Sequence, residues 1–322
     1  MGLKVLLFGD VGVDDAIALV YAHLSGEIDL VGIVADYGNV SRKDAVSNVH
    51  YLFKLMNVST EIPIMGGAEV PMTAEEPTFY PAIHGKNGLG PIVPGIFDGF
   101  IENFFEIVKI IEKYEDELII VNIGRLTSLG NMFIFYKSLM SKVKAFYIMG
   151  GAFLVPGNVT AVSEANFHAD PIAVKIVLTY ANNLTIIPLN VTEHAIVTPE
   201  MVNYIDYKGK TKIVKPLLDY YYAFYKKRNP DIKGSPVHDA ITLMAPLYED
   251  MFTYKTLPIH IVTASEGVQR GQSIADIRPF MKFKDEKKHR IAFALDYPKF
   301  FNRFMTIMTG EPFGDLGVKK RI

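Results

Sequence analysis

The chain has 322 residues, 49% of them hydrophobic, which is enough for one large α/β domain or two ordinary ones around a buried core. Its 33 Lys and Arg against 35 Asp and Glu leave a formal charge of -2, so bulk electrostatics favours neither nucleic acid nor an acidic membrane as partner. With no cysteine, disulfides, thiolate nucleophiles and Cys-ligated zinc are excluded, and any metal must rest on oxygen or histidine.

KVLLFGD (4–10) reads as a short buried strand and DDAIALVYAHL (14–24) as an amphipathic helix. The apolar run Val5 to Phe8 is too short for a signal-peptide core, and no run approaches the ~18 apolar residues of a membrane helix, so a soluble, cytoplasmic protein is expected. Asp10, Asp14 and Asp15 then meet at one strand-to-helix turn. In an open α/β sheet the crevice beyond the strand C-termini is the ligand site, and clustered carboxylates there suit a hard cation with oxygen ligands. Capping of the helix by Asp14 or Asp15 is the plainer reading of the same residues.

Further strands are expected at IDLVGIVADY (28–37), IPIMGG (62–67), ELIIVNIG (117–124), VKAFYIMGG (143–151) and LTIIPLNV (184–191). Between them, 41–57, 98–114, 125–140 and 170–183 place apolar residues at three- and four-residue intervals and read as helices. Glu69 to Gly99 is a long Pro- and Gly-rich loop, of the kind usually tied to function. PLLDYYYAFYKKRNPD (216–231) reads as a helix, and 256–270 and 287–297 suggest added strands. The alternation predicts an open, mostly parallel central sheet flanked by helices, Rossmann-like, in one domain spanning 1–322.

The strand ends carry polar groups: ADYGN, NIGRLTS, MGG followed by PGNVTAVSEANFHADP, and later PVHDAITLMAP, where Asp239 offers a further carboxylate. Each alone is ordinary loop and cap chemistry; their joint placement at strand C-termini is not.

These residues carry a resemblance. FGDVGVDDA (8–16) is similar to the DxDPGxDDA pattern of the calcium-dependent nucleoside hydrolases of the inosine-uridine preferring type. Asn39 in ADYGN, His84 in IHGKNG, the GPLTN-like turn at Gly124 to Ser128, the MGGA run at Met149 to Ala152, Asn158, Glu164 and Asn166 with ADP at 169–171, and PVHDA at 236–240 follow in the family's order. The resemblance covers residues 5 to about 245 and implies an enzyme that cleaves the N-glycosidic bond of ribonucleosides to free base and ribose.

The resemblance further implies one Ca²⁺ held by Asp10, Asp15, Asp239 and the carbonyl of Ile123, an all-oxygen set that suits Ca²⁺. Glycosidic cleavage passes through an oxocarbenium-like state and needs an activated water, from which Asp10 would take the proton as general base. Asp14, Asn158, Glu164 and Asn166 would hold the ribose hydroxyls, with Asn39, His84 and Met149 as further substrate-side residues. His238 would either assist the leaving base or line its pocket. The family's habit implies a homodimer or homotetramer.

The chain also departs from the pattern. Phe8 replaces the first aspartate, Val11 and Val13 replace the usual Pro and a frequent His, and Ala165 replaces the usual Phe before Asn166. Pyrimidine-preferring members carry Thr, Gln and Tyr where this chain has Tyr222, Lys226 and Pro230. The aromatic cluster on that helix, with Tyr222 taken as its representative, offers a ring to stack on a purine, so purine nucleosides (inosine, adenosine, guanosine) are the expected substrates. The absence of Trp argues against the indole-stacking mode of leaving-group activation found in the family's strictly purine-specific members.

Other readings compete. A broad or pyrimidine-preferring hydrolase and a non-catalytic Ca²⁺-dependent nucleoside binder share the same residues. A phosphohydrolase of the haloacid dehalogenase kind needs a nucleophilic Asp where Phe8 stands, and the spacing of an EF-hand is missing.

Overall fold

The computed structural model describes residues 2–58, 61–281 and 285–314. Its centre is an eight-stranded sheet. Six strands follow the expected order: β1 (Leu3–Gly9), β2 (Ile28–Ala35), β3 (Ile64–Gly66), β4 (Ile119–Asn122), β5 (Ala145–Met149) and β6 (Leu184–Ile187). Across the sheet the order is β3, β2, β1, β4, β5, β6, then His289–Leu295 and, at the edge, Phe252–Leu257. All pairings are parallel except that of the edge strand with its neighbour.

Strand order runs outward from β1 on one side and from β4 on the other, so β1 and β4 flank the switch point at which open α/β sheets bind ligands. Parallel pairing sets Phe8 opposite Asn122, which brings the chain just beyond each, Gly9–Asp10 and Ile123–Gly124, side by side at that crevice.

Alternation along β1 distributes its side chains between two helical layers. Val5 and Leu7 pack with α1 (Val13–Ser25) and the helices Val214–Arg228, His238–Met244 and Tyr297–Thr309. Leu6 and Phe8 pack with Glu106–Lys113, Thr127–Met140 and Pro171–Tyr180. Phe8 is fully buried in this second layer. The aromatic ring at the position of the family's first aspartate therefore fills core.

One expected helix is shorter than its apolar pattern. Of 98–114 only Glu106–Lys113 is helical. The Asn103 side chain accepts from the Phe105 N–H at 2.9 Å, a local turn that delays helix entry, and Phe100 is left 79% exposed.

The 69–99 segment is held in place. It contains a short helix, Pro81–His84, buries Leu89, and is pinned where Asn48 Nδ2 donates to the carbonyls of Val11 and Asn87. No helix among the described residues is long and apolar enough to cross a membrane.

Candidate active site

A cavity of about 780 Å³ opens at the β1/β4 crevice. Its wall includes Asp14, Asn39, His84, Ile123, Met149, Asn158, Glu164, Asn166, His238 and Asp239, residues that the sequence scatters over more than two hundred positions. Asp10 and Asp15 lie directly behind, 1% and 0% exposed. Tyr222 is the exception among the sequence-derived candidates. It does not line the cavity, and its hydroxyl donates to the Ile232 carbonyl at 3.3 Å. Tyr221 and Tyr225 of the same helix face the cavity instead.

α1 starts directly at this crevice. Asp15 caps it: Oδ2 accepts from Gly12 N–H at 2.8 Å and from Asn39 Nδ2 at 3.0 Å, while Oδ1 has no partner. Asp14 accepts from the Tyr221 hydroxyl at 3.2 Å through Oδ2, and its Oδ1 is likewise unpartnered. Asp10 Oδ2 accepts from Asn39 N–H at 2.6 Å and lies 3.3 Å from Arg125 Nη1. Gly38 is required here because a Cβ would overlap Asp10 Oδ2. The cap reading and the cluster reading thus hold together, since one oxygen of Asp15 caps and the other faces its fellow carboxylates.

Oxygens of Asp14, Asp15 and Asp239 lie within 4.8 Å of one another, all buried. Desolvation first, and mutual repulsion with Asp10 and each other second, raises the carboxyls of Asp14 (to about 6), Asp15 and Asp239. Buried carboxylates with oxygens lacking any donor fit a cation: it would satisfy the orphan atoms and remove the repulsion. The geometric trio includes Asp14, which the sequence reading assigned to the sugar, and excludes Asp10, whose Oδ2 is engaged by Asn39 and Arg125.

A short helix, Ala165–Ala169, organises three further polar residues of the lining. Glu164 is its N-cap, with Oε1 accepting from Asn166 N–H and Oε2 from Phe167 and Gly151 N–H. Asn158 Oδ1 accepts from Ala165 N–H at 2.9 Å. Asn166 Nδ2 donates to the carbonyls of Ile123 and Met149, each at 3.1 Å, and its Oδ1 accepts from Arg125 Nη1.

Three histidines line the cavity, His84, His194 and His238. His84 Nδ1 accepts from the Val13 N–H at 3.1 Å, which leaves the ring proton on Nε2. Burial pushes it down to about 3, so it is neutral at pH 7. His238 pairs through Nδ1 with Thr192 Oγ1 at 2.8 Å, and burial pushes it down to about 4. It too is neutral at pH 7 and brings an N–H or a lone pair, without positive charge.

Sequence reasoning passed over Arg125 and the buried Asp36. Arg125 is 3% exposed and lines the cavity; its signal was a lone charge in the strand-end turn NIGRLTS. Asp36 Oδ1 accepts from Ser128 Oγ and from Ala68 N–H, and burial pushes its carboxyl up to about 8.

A buried carboxylate cluster beside polar side chains at the switch point of a parallel sheet is an α/β ligand site that could hold a metal ion. The chain belongs to the inosine-uridine preferring nucleoside hydrolases, whose family model matches residues 5–302, and is thus a hydrolase of N-glycosyl bonds. It is similar to pyrimidine-specific ribonucleoside hydrolase RihA of Escherichia coli, 31% identical over 283 residues, covering 86% of this chain and 89% of the relative. It is also similar to uridine nucleosidase 1 of Arabidopsis thaliana, 29% identical over 278 residues, covering 85% and 82%. Among solved structures, the purine-preferring ribonucleoside hydrolase from Gardnerella vaginalis superposes with a TM-score of 0.86 at 28% identity, covering 95% of this chain and 98% of that one.

Proposed function

We propose that the enzyme is a Ca²⁺-dependent ribonucleoside N-ribohydrolase with a preference for purine nucleosides. The observation that carries the reading is the buried trio Asp14, Asp15 and Asp239 at a cavity that Asn158, Glu164 and Asn166 also line. Asp14, Asp15 and Asp239 would hold the cation, with the Ile123 carbonyl and Asp10 as further oxygen donors. When bound, the cation supplies positive charge that orients a water and lowers its pKa. Asp10, kept close to the site by Asn39 N–H and Arg125, would accept a proton from the attacking water. Asn158 and Glu164, each immobilised on the backbone of one short helix, present their remaining hydrogen-bonding capacity to the sugar, so orientation is built in before substrate arrives. His84 and His238 enclose the site as neutral rings, and His238 contacts the departing base.

The purine preference is supported by the base end of the cavity, where Tyr221, Tyr225, Ile196 and Ile232 present aromatic and aliphatic surface to a ring system. Lys226, at one of the positions that differ from pyrimidine-preferring members, donates to the Pro230 carbonyl away from the lining. A pyrimidine preference is the second reading, favoured by what the RihA and uridine nucleosidase relatives act on. Ribose release from inosine, adenosine, guanosine, uridine and cytidine decides between them. Higher kcat/KM on the three purines supports the proposal, and higher kcat/KM on uridine or cytidine replaces it with the second reading.

A further inference from the structure

Arg125 is a buried permanent cation, 3% exposed, in the wall of a cavity whose other arginine, Arg228, is exposed to solvent. Its Nη1 lies 3.3 Å from Asp10 Oδ2 and donates to Asn166 Oδ1, and its guanidinium carbon sits 5.7 Å from the centre of the Tyr80 ring. Those contacts fix the plane of the group. Among the described residues no protein acceptor takes the N–H groups of Nε or Nη2, yet neither nitrogen is sealed from the cavity. A guanidinium carries five donors in a rigid fork, so this one, on a residue that lines the cavity together with Asn166, is left with unused donors.

Asn166 shows what that space is short of. Its amide nitrogen serves the Ile123 and Met149 carbonyls and its oxygen serves Arg125, so its hydrogen-bonding capacity is largely spent within the protein. The free donor at this point of the wall belongs to Arg125.

Resting on the nucleoside reading above, we propose that Arg125 is a specificity-determining residue that donates a charged hydrogen bond to a hydroxyl of the substrate's sugar. Asn166 and Tyr80 position it. The acceptor is a neutral hydroxyl and not a phosphate, because Asp10 already pairs with the guanidinium and the cavity's other lining charges, Asp14, Glu164, Glu193 and Asp239 against the exposed Arg228, are acidic on balance. A sugar phosphate would bring further negative charge into a wall that is already acidic. Pairing with Asp10 also spares the sugar an uncompensated cation while positive charge develops on it during cleavage.

The test compares wild type with Arg125→Gln and Arg125→Lys on inosine and its 2′-, 3′- and 5′-deoxy counterparts. Lys keeps a charge beside Asp10 but not the fork, so it serves if the Gln variant does not fold. A charged hydrogen bond is worth about ten- to a hundredfold. Either variant should lose about that factor in kcat/KM on inosine, and much less on the one deoxy analogue that lacks the acceptor hydroxyl. An equal loss on all four nucleosides, or no loss, overturns the proposal. Titration of the proteins with free ribose and with 2-, 3- and 5-deoxyribose, followed by NMR, reads the same contact without turnover. If wild type releases no ribose from any nucleoside, the nucleosidase reading fails on its own, while the ribose titrations still decide the role of Arg125: selective weakening by either variant supports it, and unchanged or uniformly changed binding overturns it.

Discussion

The Tyr221 hydroxyl donates to Asp14 Oδ2 at 3.2 Å across 207 positions of sequence. The bond ties the carboxylate at the start of α1 to the helix Val214–Arg228, and so sets the orientation in which Asp14 meets the cavity. Tyr221→Phe removes the donor and keeps the ring. A hydrogen bond to a charged partner contributes about 1.5–3 kcal/mol, so kcat/KM should fall about tenfold or somewhat more. Circular dichroism and steady-state kinetics on the purified variant check this; an unchanged kcat/KM would show that Asp14 is oriented without Tyr221.

His84 anchors the Pro- and Gly-rich segment to the catalytic turn through the Val13 N–H. In His84→Ala that buried donor loses its acceptor, at a cost of about 1–3 kcal/mol, and residues 85–99 lose one of their tethers. Limited proteolysis should cut the variant within this segment well before wild type, and KM for nucleoside should rise. Equal cleavage rates would mean that Asn48, Asp44 and Ser47 hold the segment without His84.

Asp36 gives the chain a pH signature. Its carboxyl is raised by burial to about 8, against the ordinary 3.8. A raised carboxyl binds protons in the folded state that the unfolded state has already released, so its contribution to stability is present at acid pH and is lost as pH rises from about 4 through 8. Asp36→Asn removes the titration while keeping an oxygen for Ser128 and Ala68. The melting temperature of the variant should therefore gain on wild type between pH 5 and pH 8.5, and a difference that stays constant or narrows would contradict this assignment.

The carboxylate cluster predicts a cation-dependent stability. At a concentration one hundred times its Kd, Ca²⁺ should stabilise the fold by about 2.7 kcal/mol, seen as a rise in melting temperature that a chelator reverses. Asp15→Asn retains an oxygen for the cap on Gly12 but removes half of the charge-bearing pair facing Asp14, and calorimetry should find its Ca²⁺ affinity lowered at least tenfold. Equal affinity in variant and wild type would place the cation elsewhere.

Most of the sheet was legible because buried parallel strands leave unbroken apolar runs ending in polar residues, as at VLLFGD and LIIVNIG. The carboxylate cluster was legible for the same reason: Asp10, Asp14, Asp15 and Asp239 sit where strands end and helices begin. Helix phase was harder to read. Tyr221, Tyr222 and Tyr225 are equivalent in composition, and only the docking of their helix against α1 and Asp14 turns Tyr221 and Tyr225 inward and Tyr222 towards Ile232. The division of labour among the aspartates was also hidden, since it depends on which oxygens Asn39, Gly12, Tyr221 and Arg125 already occupy. Residues 98–105 mimic a helix in their apolar spacing, but the turn at Asn103 prevents it.

The proposed role of Asp10 as the base at a cation-dependent glycosidic site has a direct test. Ribose release from inosine should be measured for wild type and Asp10→Asn, each with Ca²⁺ and after chelation. Wild type with Ca²⁺ should turn over, chelation should abolish turnover, and Asp10→Asn should lose about 10²–10⁴ in kcat with its fold intact. Full activity of Asp10→Asn, or turnover indifferent to the chelator, would contradict the account.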